Sequence, residues 1–122
     1  MMSEGGENIV FVLNNSRPDA VCFPFTFSMA ALGSGVKVKI IVLGGAVEAF
    51  MKGNFENIKF GSAPKPSELL PQALEMGLEI LVCKACIDAL GVSPDKLIDG
   101  VKVIGPVTFI EETTTASAVI SL

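Results

Sequence analysis

A chain of 122 residues fits one domain, residues 1–122, and its complete lack of histidine excludes every mechanism that needs an imidazole, Ser-His and Cys-His catalysis included. The formal net charge of −4 and the absence of any basic run argue against nucleic acid as a partner, and no apolar stretch approaches the roughly 20 residues of a membrane span. With 50% hydrophobic residues and a mean hydropathy of +0.59, the chain carries more apolar surface than so small a monomer hides, which points to a subunit interface.

The stretch MMSEGGENIVFVL is acidic, unlike the basic start of a signal peptide. Three cysteines, an odd number, fit a reducing compartment better than a disulfide scaffold. A cytoplasmic protein is expected. Asn8 to Asn15, NIVFVLNN, is a β-branched apolar run closed by two asparagines and predicts a buried strand. In SRPDAVCFPFTFSMAALGSG, Ser16 and Pro18 mark a helix start and Gly33 to Gly35 its stop. Pro24 inside that segment predicts a late start or a kink, because it removes a backbone donor. VKVKIIVLGG predicts a second strand ending at Gly44 and Gly45. AVEAFMKG predicts a short helix with Gly53 past its end.

Gly53 to Pro66 carries turn residues and no clear period. It predicts a long loop with at most a short strand near Ile58 to Phe60, and loops of this length often cover sites. SELLPQALEMG predicts a helix with Ser67 as cap, Glu68 in its first turn and Gly77 past its end. LEILVC predicts the third strand, KACIDALG a helix ending at Gly91, and SPDKLIDG a Ser-capped turn opened by Pro94. VKVIG predicts a strand, PVTFIEETTTA a helix and SAVISL a terminal strand. Strands alternating with helices, and strands that are apolar runs, predict a single three-layer α/β/α domain with a mostly parallel sheet of about five strands.

In LVCKACIDALG, Cys83 falls at the carboxyl end of the third strand, where open α/β sheets gather their chemistry. The following helix start offers unpaired N–H groups, and Lys84 adds positive potential; both favour an anion there. Cys86, three residues on, faces the same side of the helix. Free cysteines are also small hydrophobes that pack in cores, and Cys22 in the Phe-rich first helix reads that way. The Cys-x-x-Cys spacing admits dithiol redox chemistry, although it comes late in the chain. A zinc site is disfavoured, because it takes four ligands and only Cys22 remains. No motif implies a cofactor. Gly44 and Gly45 let a ligand approach the backbone closely, or simply form the strand-to-helix turn.

The segment LEILVCKACIDALGVSPDKLIDGVKVIGPVTFIEET resembles the DsrE/DsrF-like (TusD-like) family of small sulfur-relay proteins. It has a strand ending in a cysteine, a short helix with a glycine, the acidic turn DKLIDG and a valine-rich strand. AALGSGVKVKIIVLGGAV extends the likeness, more loosely, into the N-terminal half. The resemblance implies a Rossmann-like three-layer fold and homo- or hetero-oligomers, commonly trimers or hexamers. It also implies a persulfide on the strand-end cysteine, here Cys83, passed to a sulfur-carrier partner. This chain departs from the relay subunits in having Cys86, and it shows no obvious aromatic or basic docking surface.

Sulfur transfer needs a nucleophilic thiolate, a place for the added sulfur as an anion, and access for a partner thiol. The helix start after Val82 answers the second need, and the loop Gly53 to Pro66 is a candidate gate for the third. A Cys-x-x-Cys pair can instead discharge the persulfide as a disulfide and release sulfide, so a pure relay requires Cys86 to be turned away or buried. Three readings stay open: a sulfur handler acting through Cys83, a Cys83/Cys86 dithiol module, and a non-catalytic binding or assembly protein.

Overall fold

Apolar runs too short to be helices become strands here, and the glycines and prolines between them set their limits. The computed structural model describes residues 7–122; the acidic stretch 1–6, on which the signal-peptide reading rests in part, lies outside the described residues. The strands are β1 (Asn8–Leu13), β2 (Lys37–Val42), β3 (Glu79–Cys83), β4 (Val101–Ile104) and β5 (Ala118–Ser121). The helices are α1 (Pro18–Gly33), α2 (Pro66–Glu75), α3 (Lys84–Leu90) and α4 (Pro106–Thr114). The strands form one five-stranded sheet in the order β4-β3-β2-β1-β5, with every pairing parallel. The chain therefore steps outward from β1 to β4 and then returns across the sheet to lay β5 on the other side of β1.

The two faces of the sheet are unequal. One carries most of the core: Phe11, Leu13, Ile40, Val42, Ile80 and Val82 from the strands pack with Val21 and Phe25 of α1 and Ala73 of α2. Three rings fill its centre, Phe25, Phe50 and Phe55, with centroids 5.3 to 6.2 Å apart. Offset and edge-on rings at these separations add attraction beyond simple burial. Among the described residues, α4 is the one helix on the opposite face, over a small cluster of Val10, Val12, Ile41 and Leu81 against Phe109 and Ile104. A polar tie accompanies that cluster: the Lys39 ammonium donates to the Glu112 carboxylate at 2.6 Å.

Several boundaries differ from expectation. The helix α1 starts at Pro18 with Arg17 as N-cap, so there is neither a late start nor a cap from Ser16. Pro24 lies inside the helix and is buried in it. The cap of α2 is Lys65, not Ser67, and Glu68 reaches back to accept the Lys65 backbone N–H at 3.0 Å. Pro66 then occupies the first helical position, where its missing N–H costs nothing. The segment Gly44–Phe50 forms a 3-10 helix instead of the expected short helix from Ala46 with Gly53 past its end. Its continuation is taken by an antiparallel bridge: Met51 lies opposite Leu97, the Ile98 N–H donates to the Phe50 carbonyl at 2.9 Å, and the Lys52 N–H to that of Lys96 at 2.8 Å. Backbone committed to that bridge cannot close α-helical turns. No strand forms at Ile58 to Phe60; the loop makes one 3-10 turn at Phe55–Asn57.

Among the described residues, no helix is long and apolar enough to cross a membrane.

Candidate functional site

The strand β3 ends directly in α3, with no loop between them. Ile80, Leu81 and Val82 are buried, and the next residue, Cys83, is the first to emerge, half-buried, opposite Ile104 of β4. Cys83 is the N-cap of α3, but its sulfur makes no capping bond. The helix has only seven residues and stops at Gly91, whose left-handed φ of +69° lets its N–H and that of Val92 return to the Asp88 and Ile87 carbonyls. Ile87 is the side chain that anchors α3 in the core.

Cys86 occupies the third helical position, N3, and is half-buried against the main core. Its sulfur accepts the backbone N–H of Gly44 at 3.2 Å, across 42 residues of chain. The Cys83 side chain is its neighbour at the start of α3. Burial pushes the Cys86 thiol up, the Gly44 N–H partly offsets this, and the neighbouring Cys83 raises it further. The pair thus sits on the carboxyl edge of β2 and β3: Cys83 closes one strand, and Gly44 follows the end of the other. Cys86 is neither turned away nor fully buried, which is the condition a pure relay was expected to meet.

Gly44 has φ +50°, and Gly45 sits with the Asn14 carbonyl oxygen 3.5 Å from where a Cβ would stand. They form the tight turn out of β2, and the N–H of Gly44 is directed at a cysteine of this chain rather than at open space. Lys84 lies on the outer side of α3, where its ammonium donates to Asp88 one turn on at 2.8 Å; both side chains are well exposed. Exposed pairs of this kind are weak and salt-screened, so Lys84 can leave Asp88 for an incoming anion at little cost. Cys22 is 0% exposed. Its thiol is pushed up chiefly by burial, against the opposing effect of the nearby Phe60 backbone, and Asp19 raises it further.

The loop Gly53 to Pro66 packs on α1 through the Phe60 ring, edge-on against Phe23 at 5.5 Å. Phe23 in turn stacks on Phe27 at 5.8 Å, and all three rings are exposed, Phe27 by 53%. An aromatic surface is therefore present, contrary to the expectation of none. The signal was the spacing: Phe23 and Phe27 are four apart on one helical face, with Phe25 on the other. The Gly44 contact to Cys86 left no such trace.

The DsrE/DsrF-like family model matches residues 8–122. The uncharacterized protein MK0008 of Methanopyrus kandleri is 34% identical over 76 residues, which cover 62% of this chain and 60% of that relative. The chain thus spans about three fifths of the length of that relative. In structure the chain is similar to the ychN protein of E. coli, with a TM-score of 0.73 and 22% identity, covering 95% of this chain and 99% of the other. It is similar also to MTH1491 of Methanobacterium thermoautotrophicum, a protein of unknown function, with a TM-score of 0.74, 16% identity and the same coverage. At these identities the two structures speak for the fold.

Proposed function

Because this chain belongs to the DsrE/DsrF-like family, we propose that it handles sulfane sulfur as a persulfide on Cys83. The observation that carries this reading is the emergence of Cys83 from a buried strand at the carboxyl edge of the sheet, half-buried and uncommitted to a cap, while Cys22 is 0% exposed. A thiol in that place has the two attributes a sulfur acceptor needs, access from solvent and a fixed position. The Lys84 ammonium, held only by an exposed ion pair, is within one residue to balance the charge of a terminal sulfur. The three free cysteines suit a reducing compartment, the cytoplasm.

Formation of the persulfide requires no group beyond the thiolate. The Cys83 sulfur attacks a sulfane sulfur of an inorganic polysulfide or of a partner's persulfide, the S–S bond of the donor breaks, and the shortened donor leaves with the electron pair. The protein works as a homo-oligomer, a trimer or hexamer, and a sulfur-carrier protein is its exchange partner. Exposed Val107 and Ile110 of α4, with Val119 and Ile120 of the edge strand β5, supply the apolar surface for assembly.

The test of the persulfide is loading in a background that cannot resolve it. Cys86→Ser incubated with inorganic tetrasulfide is expected to gain the mass of one sulfur atom, mapped to Cys83. The double variant Cys83→Ser/Cys86→Ser is expected to gain none. Absence of added mass in Cys86→Ser, or loading that survives loss of Cys83, sinks the reading.

A further inference from the structure

We propose that Cys86 is a resolving thiol: it discharges the Cys83 persulfide as hydrogen sulfide and leaves a Cys83–Cys86 disulfide that a dithiol reductant resets. This rests on the persulfide reading above and adds what becomes of the sulfur. Two observations on the fold carry it. The first is position. Cys83 and Cys86 are the N-cap and N3 residues of α3, one helical turn apart at the same helix start, and Cys83 is near enough to raise the Cys86 thiol. Side chains so spaced have Cβ atoms about 5 to 6 Å apart, close enough that a small local adjustment reaches the separation a disulfide requires. The second is the Gly44 N–H on the Cys86 sulfur, 3.2 Å away. It fixes Cys86 beside Cys83, and it stabilises negative charge on the sulfur at the moment of attack.

The step balances within the protein. The Cys86 sulfur attacks the inner sulfur of the Cys83 persulfide. The bond between the inner and terminal sulfurs breaks, and the terminal sulfur departs with the electron pair, taking the proton that Cys86 gives up, as HS⁻. The sulfane sulfur gains two electrons and the two cysteines lose two between them, so no further oxidant is consumed. A dithiol reductant then attacks the disulfide at the half-buried Cys83 sulfur, at the carboxyl edge of the sheet, and restores both thiols by exchange. Cys22, 0% exposed, takes no part in either exchange.

The consequence is a protein that turns sulfane sulfur into sulfide at the expense of a dithiol, instead of passing it on intact. The experiment uses the full chain, pre-reduced and freed of reductant, with inorganic tetrasulfide as the probe. Released sulfide is measured against buffer and protein thiols are counted by alkylation. Wild type is expected to release sulfide, to lose the thiols of Cys83 and Cys86 together, and to retain no added sulfur. Cys86→Ser and Cys86→Ala are expected to retain one sulfur on Cys83, with sulfide falling to the Cys83→Ser level. Wild type that keeps its added sulfur with Cys86 still free overturns the discharge and leaves the persulfide standing. Cys86 variants that fail to load while remaining folded by circular dichroism overturn both. Full sulfide release by a Cys86 variant overturns the resolving role alone.

Discussion

At the scale of single residues, the three cysteines are chemically distinct because their surroundings are. Cys22 is fully buried beside the Phe60 backbone, Cys86 is half-buried and bonded by Gly44, and Cys83, equally half-buried, accepts no such bond. Alkylation of the native protein is expected to follow that order in reverse: Cys83 first, Cys86 later and only as pH rises, Cys22 last or after unfolding. Site-mapped labelling over a pH series checks this; Cys22 labelling as fast as Cys83 would contradict it. The same environments bear on stability. Burial holds the thiols of Cys22 and Cys86 above their ordinary range, so the unfolded chain gives up these protons first. Below the ordinary thiol pKa of about 8.5 both states are protonated and stability is flat in this respect; above it, stability falls as pH climbs towards the raised folded values. Urea midpoints at neutral and alkaline pH read this directly, and replacing Cys22 by Ala reduces the slope.

At the scale of elements, α3 is a short helix made possible by its ends. It has seven residues, one buried anchor in Ile87 and a left-handed glycine at its close. A helix this short has no stability of its own in water, so its place depends on packing and on that terminus. Gly91→Ala meets no neighbouring atom, since nothing lies within 4 Å of a Cβ there, so its cost is conformational alone. We expect about 1 kcal/mol of destabilisation, from the φ of an L residue in the left-handed region. Gly33→Ala, at the last position of α1 and equally unobstructed, has no positive φ and is expected to be neutral or to stabilise by up to about 1 kcal/mol. Denaturant midpoints for the two variants separate a backbone effect from a packing effect: equal shifts would refute the conformational explanation.

At the scale of the whole molecule, the sheet is covered unevenly. One face receives three helices and the aromatic core, the other a single helix none of whose residues is fully buried. On α4, Val107 is 72% exposed and Ile110 55%, three residues apart on one side of the helix. Both flanking strands, β4 and β5, are sheet edges. An exposed apolar helix face beside an open edge is costly in a monomer, and assembly with further copies removes the cost. Light scattering at micromolar concentration is expected to report a trimer or hexamer. Val107→Asp combined with Ile110→Asp is expected to shift it to smaller species with the fold retained by circular dichroism. A wild-type monomer would remove the oligomeric reading, and an unchanged assembly in the double variant would place the interface elsewhere.

The sequence by itself determined the α/β class, the order of strands and helices, and the position of Cys83 at a strand end and of Cys86 one helical turn on. Those follow from signals that act over a few residues: apolar runs, the closing glycines, and Pro18 at the start of α1. Only the tertiary structure decided the rest. The stretch after β2 reads locally as a helix, yet it becomes a 3-10 segment because Met51 is drawn into a bridge with Leu97. Lys84 is adjacent to Cys83 in sequence, yet its charge meets Asp88 on the outer side. Gly44 was legible as a turn, but not as the donor to a sulfur 42 residues away. That contact exists because β2 and β3 pair in parallel with Val42 opposite Val82, which brings both strand ends to one edge. Register between distant segments is set by the packing of the sheet and its crossovers, and no local pattern along the chain encodes it.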